Sequence, residues 1–314
     1  MRRRVLLNAG EEWPSDLIAE ISKHAEVVRY GSATLEDLRE AEVLVTFNLN
    51  ADDLKLMRNL RLIQVLSAGV DHLDWSAIPE DVTVCSNSGS NAEPVAEHAI
   101  ALLLAAAKRV AYYDSRCRSG DFKRTVRTVL LRGSTLAVLG LGPIGLRVAE
   151  IAKAMGISVR GYARRRREYP FVDELFLHPD VKGALRGADA AVIALPLNKH
   201  TRGLIDYAAL GSMRRNGILV NVARGPIVVK EDLIRFLREN PDFVYATDVW
   251  WNSQDLSKDW DVASLPNVVS TPWVAGAFGN PAVFGEMVRH ALLNVLRYFR
   301  GEELLNKVER SDYV

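Results

Sequence analysis

Short runs rich in Val, Ile and Leu recur along the chain and alternate with segments whose apolar positions fall three and four apart. "RVLLNA" precedes the amphipathic "PSDLIAEISKHA", and "EVVRY", "VLVTF", "RLIQVLS" and "VTVCS" follow. A strand covered on both faces loses the in-out alternation of a half-exposed one, so near-continuous apolar runs predict parallel strands. A second series opens at "STLAVLG" and continues through "SVRGYA", "AAVIALPL", "GILVNVAR", "VYATDVW" and "NVVSTPW". Between the two series a long helix begins near Glu93, with Pro94 in its first turn, and runs through "VAEHAIALLLAAAKRV". It is apolar nearly all round, which predicts burial between domains or subunits. The last helix, "VFGEMVRHALLNVLRYFRG", closes at Gly301, a residue suited to a helix C-terminus. The expected fold is α/β: two Rossmann-like, doubly wound parallel-sheet domains separated by a cleft.

Composition narrows the partners. A chain of 314 residues, 48% of them apolar, has material for two cores. Lys+Arg 40 against Asp+Glu 39 gives a net charge of +1, so no global field recruits nucleic acid or a membrane surface. The most apolar stretch, "AIALLLAAA", is too short to span a bilayer. The opening "MRRRVLLNAGEEW" has only a short apolar run before its acids, and reads as a first strand rather than a signal peptide. Cys85 and Cys117 form neither a disulfide framework nor a zinc pattern, so no metal is expected and a reducing cytoplasm fits.

The strongest chemical signal is "VLGLGPIG", which sets Gly140, Gly142 and Gly145 in G-x-G-x-x-G spacing. It follows a strand, opens a helix and leads to another strand, the context a dinucleotide site requires. Gly140 permits the tight turn, Gly142 lets backbone approach a pyrophosphate, and Gly145 allows close helix–strand packing. With Pro143 and Ile144 they place N–H groups and the positive helix end beside phosphate. A site for NAD wants a carboxylate at the end of the second strand. This chain has Ala163 followed by Arg164, Arg165, Arg166 and Arg167. Guanidinium groups suit a 2′-phosphate, with Arg164 and Arg165 the nearest candidates, so NADP is favoured over NAD. A solvated basic loop is the other reading of the run.

Several ordered stretches resemble the D-isomer-specific 2-hydroxyacid dehydrogenases over nearly the whole chain. They are "VLSAGVDHLD", "NAEPVAEHAIALLLA", "LRGSTLAVLGLGPIGLRVA", "LPLNKHTRGLI", "GILVNVARGPIVV", "DVW" and "STPWVAG". The resemblance implies a substrate (catalytic) domain from residues 1–97 and 276–314 and a dinucleotide-binding domain from 98–275. It also implies a homodimer paired through the region from Glu93 to Gly120. Arg224, in "NVARG" after Ala223, matches the arginine that binds the substrate carboxylate and polarises its carbonyl. A planar fork at a strand end suits a 2-oxo acid gripped by two oxygens. "SAGV" resembles the loop whose N–H groups hold that carboxylate, making Ala68, Gly69 and Val70 candidates; taken alone it is equally a plain strand–helix turn. Leu195, Pro196 and Thr201 resemble contacts beside the nicotinamide ribose, and Asp248 the residue near its carboxamide. His200 lies in a polar turn and reads as solvated, and His98, inside the apolar helix, as a packing histidine.

The chain departs from the family where chemistry is expected. The family has histidine in "STPH", exchanging the proton on the substrate oxygen; this chain has Trp273. The family also has a glutamate shortly after "DV", which charges that histidine. Counting along "DVWWNSQD" puts Ser253 there, with Gln254 and Asp255 next door. A buried carboxylate without a cationic partner is costly, so the two losses belong together. Trp273 cannot act as a general acid, but it fills the histidine's space and walls an apolar substrate pocket. The expected activity is hydride transfer between NADP(H) and a small 2-oxo or 2-hydroxy acid, slow or with water as proton source. The alternative is a catalytically inactive NADP-binding protein acting as a sensor or interaction module.

Overall fold

The computed structural model describes residues 3–8, 13–252, 254–278 and 280–314. The chain divides into two compact units, Met1–Asn91 with Gly279–Val314, and Ala92–Phe278.

The first unit carries β1 (Arg4–Asn8), β2 (Glu26–Arg29), β3 (Ala41–Thr46), β4 (Leu62–Val65) and β5 (Thr83–Cys85). They form one parallel sheet in the order β2-β1-β3-β4-β5. Alternate residues face opposite sides, as the strand period requires. Val5, Leu7, Val43 and Val45 join one core with the helices Ser15–Ser22 and Pro281–Phe299, while Leu6, Leu44, Ile63 and Val65 join the other. Gly301 follows the last helix at φ 68°, the left-handed geometry in which glycine meets no Cβ penalty.

The second unit carries β6 (Thr135–Leu139), β7 (Ser158–Ala163), β8 (Glu174–Leu177), β9 (Ala190–Ile193), β10 (Ile218–Asn221), β11 (Val244–Thr247) and β12 (Val268–Ser270). All pair in parallel, in the order β12-β11-β10-β9-β6-β7-β8. The chain therefore winds outward one way from β6 and then returns to start again beside it at β9. The β9, β10 and β11 runs are buried at every position, which is why their sequences show no alternation. Leu136 and Val138 face one core and Ala137 and Leu139 the other.

The fold is the doubly wound α/β class expected from the pattern, with three differences of detail. The edge strand β8 has an apolar run of only three residues, and "ELFL" is exposed or half-buried throughout. The long helix spans Ala92–Lys108 and stops there, because Arg109 turns left-handed at φ 53°; a second helix follows at Val110–Arg118. Its apolar positions, Val95, Ala96, Ala99, Ile100, Leu102, Leu103, Ala106 and Ala107, are consumed by the core of its own unit against the sheet. No helix of the described residues is long and apolar enough to cross a membrane.

Candidate functional site

Strand ends carry the candidate residues because a parallel sheet directs every strand's carboxyl end to one edge. At the switch point between β6 and β9, the chain leaves β6 through Gly140 at φ 102°. A Cβ there would lie 2.6 Å from the Ala194 carbonyl oxygen, and one at Gly145 would lie 1.8 Å from the Gly140 carbonyl oxygen. Neither position tolerates a side chain, so the turn presses against the β9 exit. Gly142 is different: nothing lies within 4 Å of where its Cβ would be. It caps the helix Pro143–Ala154 without a side-chain hydrogen bond, with Pro143 in the first turn. Open space above uncapped helix N–H groups is what a pyrophosphate needs, and the glycine cradle fits a dinucleotide on that count.

The next strand end supplies charge. The Ala163 carbonyl at the end of β7 accepts the His178 N–H, and Arg164 to Arg167 then lie exposed. Tyr169 orders this loop: its hydroxyl donates to the Arg165 carbonyl at 3.0 Å, and Arg167 lies 4.7 Å over its ring. The Tyr162 phenol meets His178 Nδ1 at 2.8 Å. Burial, with the charge of Asp180 second, pushes that phenol up to about 12. It therefore stays protonated.

After β9, Leu195 is half-buried and Pro196 exposed. Thr201 spends its hydroxyl inside the loop, donating to the Pro196 carbonyl at 2.6 Å and accepting from the Asn198 N–H at 2.9 Å. After β10, Asn221 braces the turn that holds Arg224. Its Oδ1 accepts from the Ala223 N–H at 3.0 Å, and its Nδ2 donates to the Arg224 carbonyl at 3.0 Å. Gly225 can only be glycine, since a Cβ would stand 2.4 Å from the Trp250 carbonyl carbon.

Asp248 and Trp273 form one device. Trp273 sits in the left-handed region at φ 63°, a conformation costing a bulky residue about 1–3 kcal/mol. The Asp248 peptide and carboxylate offset it. The Trp273 N–H donates to the Asp248 carbonyl at 3.0 Å, Val274 N–H to Oδ1 at 2.8 Å, and Ala275 N–H to Oδ2 at 2.9 Å. Thr271 also donates to Oδ1, at 2.6 Å. Its hydroxyl proton thus committed, Thr271 accepts from His98 Nε2–H at 2.9 Å. His98 is a satisfied histidine, tied to the turn rather than solvated. The result aims the indole at Arg224, whose guanidinium carbon lies 5.9 Å from the ring centroid. Arg224 Nη1 also donates to the Ala223 carbonyl at 2.8 Å. Ser253 lies outside the described residues. Sequence reasoning missed Asn221, Thr271 and His98 as parts of this frame.

In the first unit, Ala68, Gly69 and Val70 follow β4. Two of their carbonyls are engaged: Ser67 Oγ donates to the Gly69 carbonyl at 2.7 Å and Trp75 Nε1 to the Val70 carbonyl at 3.1 Å. Among the described residues no backbone carbonyl accepts from the three N–H groups. Asn87 steadies the loop from β5, donating from Nδ2 to the Leu66 carbonyl at 3.0 Å, and is itself held by His290 at 2.7 Å. No group of three or more His, Cys, Asp or Glu able to hold a metal occurs among the described residues.

Residues 100–275 match the family model described as D-isomer specific 2-hydroxyacid dehydrogenase, NAD binding domain. The glyoxylate reductase of Aeropyrum pernix is 33% identical over 290 residues, covering 88% of this chain and 85% of that one. This chain belongs to the D-isomer-specific 2-hydroxyacid dehydrogenase family. Among solved structures, a Pyrobaculum aerophilum protein provisionally described as a formate dehydrogenase superposes with a TM-score of 0.89 at 42% identity, covering 100% of both chains. A glycerate dehydrogenase related protein of Thermoplasma acidophilum is 35% identical with a TM-score of 0.63, covering 94% of this chain and 99% of that one. The residues matched by that NAD-binding-domain model include the glycine turn, Arg224 and Trp273.

Proposed function

We propose that the protein is an NADP-dependent oxidoreductase that transfers hydride between NADP(H) and a small 2-oxo or 2-hydroxy acid. The observation that carries the reading is Arg224, braced by Asn221 at the end of β10, in the same sheet as the glycine turn. Residues 98–275 are the dinucleotide domain in this reading, and 1–97 with 276–314 the substrate domain. When bound, the cofactor supplies or accepts the hydride. The chain's own residues do the rest. The backbone at Gly142, Pro143, Ile144 and Gly145 takes the pyrophosphate, and Leu195, Pro196, Thr201 and Ala223 line the ribose side. Asp248, its carboxylate held within the turn that carries Trp273, is assigned to the carboxamide side. Arg224 grips the carboxylate and polarises the carbonyl, which is electrostatic assistance that survives loss of an acid. The N–H groups of Ala68, Gly69 and Val70 are the anion-holding turn of the first unit, and Trp273 walls the substrate pocket.

NADP over NAD rests on the exposed arginines at the end of β7, where no carboxylate stands to take ribose hydroxyls. The exposed apolar residues Val110, Phe122 and Leu130 support a homodimer. Two free cysteines, Cys85 and Cys117, fit a reducing compartment such as the cytoplasm. The relatives named as glyoxylate reductases make glyoxylate the first substrate to try. Equilibrium titration with NADPH and NADH, followed by NADPH consumption on a panel of small 2-oxo acids, tests the reading. Trp273 favours a second one, a cofactor-binding protein without turnover; tight NADPH binding with no consumption on the whole panel would select it.

A further inference from the structure

The turn after β12 is built to hold one side chain against Arg224, and that side chain is an indole. Three hydrogen bonds from residues 273–275 to Asp248 keep Trp273 left-handed and its ring 5.9 Å from the Arg224 guanidinium carbon. An indole N–H donates a hydrogen bond but gives up no proton near neutral pH. Adding hydride to a carbonyl leaves an alkoxide, a strong base that must be protonated as it forms. A positioned acid contributes about a hundred- to ten-thousandfold to such a step. The residue chosen for this position cannot supply that factor.

A protonated imine changes the requirement. Its nitrogen already carries the proton, and its positive charge makes the carbon electrophilic without outside help. Hydride leaves the reduced nicotinamide and forms the C–H bond at the imino carbon. The C=N π pair withdraws onto nitrogen, and the nicotinamide is oxidised. The product is a neutral amine, which takes a proton from water afterwards. Charge and atoms balance with no acid in the site. The surroundings suit such a substrate, whose carboxylate is anionic and whose nitrogen is cationic. Arg224 is the partner for the carboxylate. An indole face favours a cation placed over it, and this one stands beside the Arg224 that takes the carboxylate. The Asp248 carboxylate, 1% exposed, adds negative potential directly behind the turn.

We propose that this site reduces the 2-imino form of a small acid, generated from the 2-oxo acid and ammonia or a small amine, in preference to the 2-oxo acid itself. The proposal rests on the cofactor and Arg224 roles given under Proposed function.

The test uses the whole protein with NADPH and glyoxylate or pyruvate, with and without added ammonium or methylamine, and identifies products by chromatography. The expected result is that amine raises NADPH oxidation on the order of tenfold or more, although the iminium is a minor species, because the ketone reaction forfeits the acid's factor. Glycine or N-methylglycine then accumulates in place of glycolate. A second readout needs no turnover: calorimetric titration of the NADP-loaded protein should find glycine binding more tightly than glycolate. Equal rates with and without amine, giving glycolate, would overturn the proposal while leaving the 2-oxo acid reading intact. Reduction of NADP by formate, which also moves no proton, with imines inert would overturn it too. Binding of NADPH with no oxidation on any substrate would overturn both.

Discussion

At the residue scale, Arg224 and Trp273 were both legible, since each stands in a motif whose neighbours fix its place at a strand end. What was not legible is how the indole is held. A threonine hydroxyl and a helical imidazole look ordinary in sequence, and only the packing of the helix Ala92–Lys108 against the sheet brings Thr271 and His98 into one chain of hydrogen bonds with Asp248. The frame yields a test. Trp273→His should restore an acid, and combined with Ser253→Glu should raise reduction of a small 2-oxo acid by about a hundredfold in kcat/KM. The double change should exceed the sum of the singles in free energy, because each residue is of little use without the other. A folded double variant that binds NADPH and gains nothing would argue against a site that lacks only its acid. Asp248→Asn addresses the support rather than the chemistry. One carboxylate oxygen becomes an NH2 donor facing N–H groups, so the turn should loosen and stability should fall by about 1–3 kcal/mol in denaturant unfolding.

Elements were readable in proportion to their burial. Strands covered on both faces announced themselves, and β8 did not, because its apolar run is only three residues long and half in water. The break at Arg109 had no glycine or proline to mark it. The glycine turn was legible in full, and the structure adds which glycine does what. Gly145→Ala would put a methyl 1.8 Å from the Gly140 carbonyl oxygen. The helix must move away from β6, at about 1–3 kcal/mol for overpacking. A lowered melting temperature and weakened binding of both NADPH and NADH are expected, because the displaced helix N-terminus serves the pyrophosphate they share. The arginine loop should behave in the opposite way. Arg164→Ala or Arg165→Ala removes a charge-assisted contact worth about 1.5–3 kcal/mol, so NADPH affinity should fall roughly ten- to a hundredfold while NADH affinity stays level. Equal affinity for the two cofactors in the unaltered protein would remove the basis of that expectation.

For the whole molecule, the even charge balance and the two α/β series were enough to indicate two sheet-based units and to point away from nucleic acid, but the state of assembly is a matter of surfaces. The sequence of the helix Ala92–Lys108 is apolar enough to call for a partner, yet the core of its own unit takes most of its apolar positions. The surface that asks for a partner comes just after. The helix Val110–Arg118 has no buried residue, and the segment beyond it leaves Phe122 at 76% and Leu130 at 74% exposed. Large side chains at such exposure on a described loop are costly to keep in water, and covering each would contribute about 1.5–3 kcal/mol. Their like-charged neighbours Lys123, Arg124 and Arg127 would repel across a symmetric contact unless they lie at its rim, where salt screens them. A homodimer through this stretch is therefore expected to tighten with salt. Light scattering at micromolar concentration should return twice the chain mass of 34.9 kDa. Phe122→Glu with Leu130→Glu should return a monomer that keeps its circular dichroism and its NADPH affinity, since neither residue belongs to the glycine turn or the arginine loop. A monomer from the unaltered protein at every salt concentration would leave those two side chains without the partner argued here.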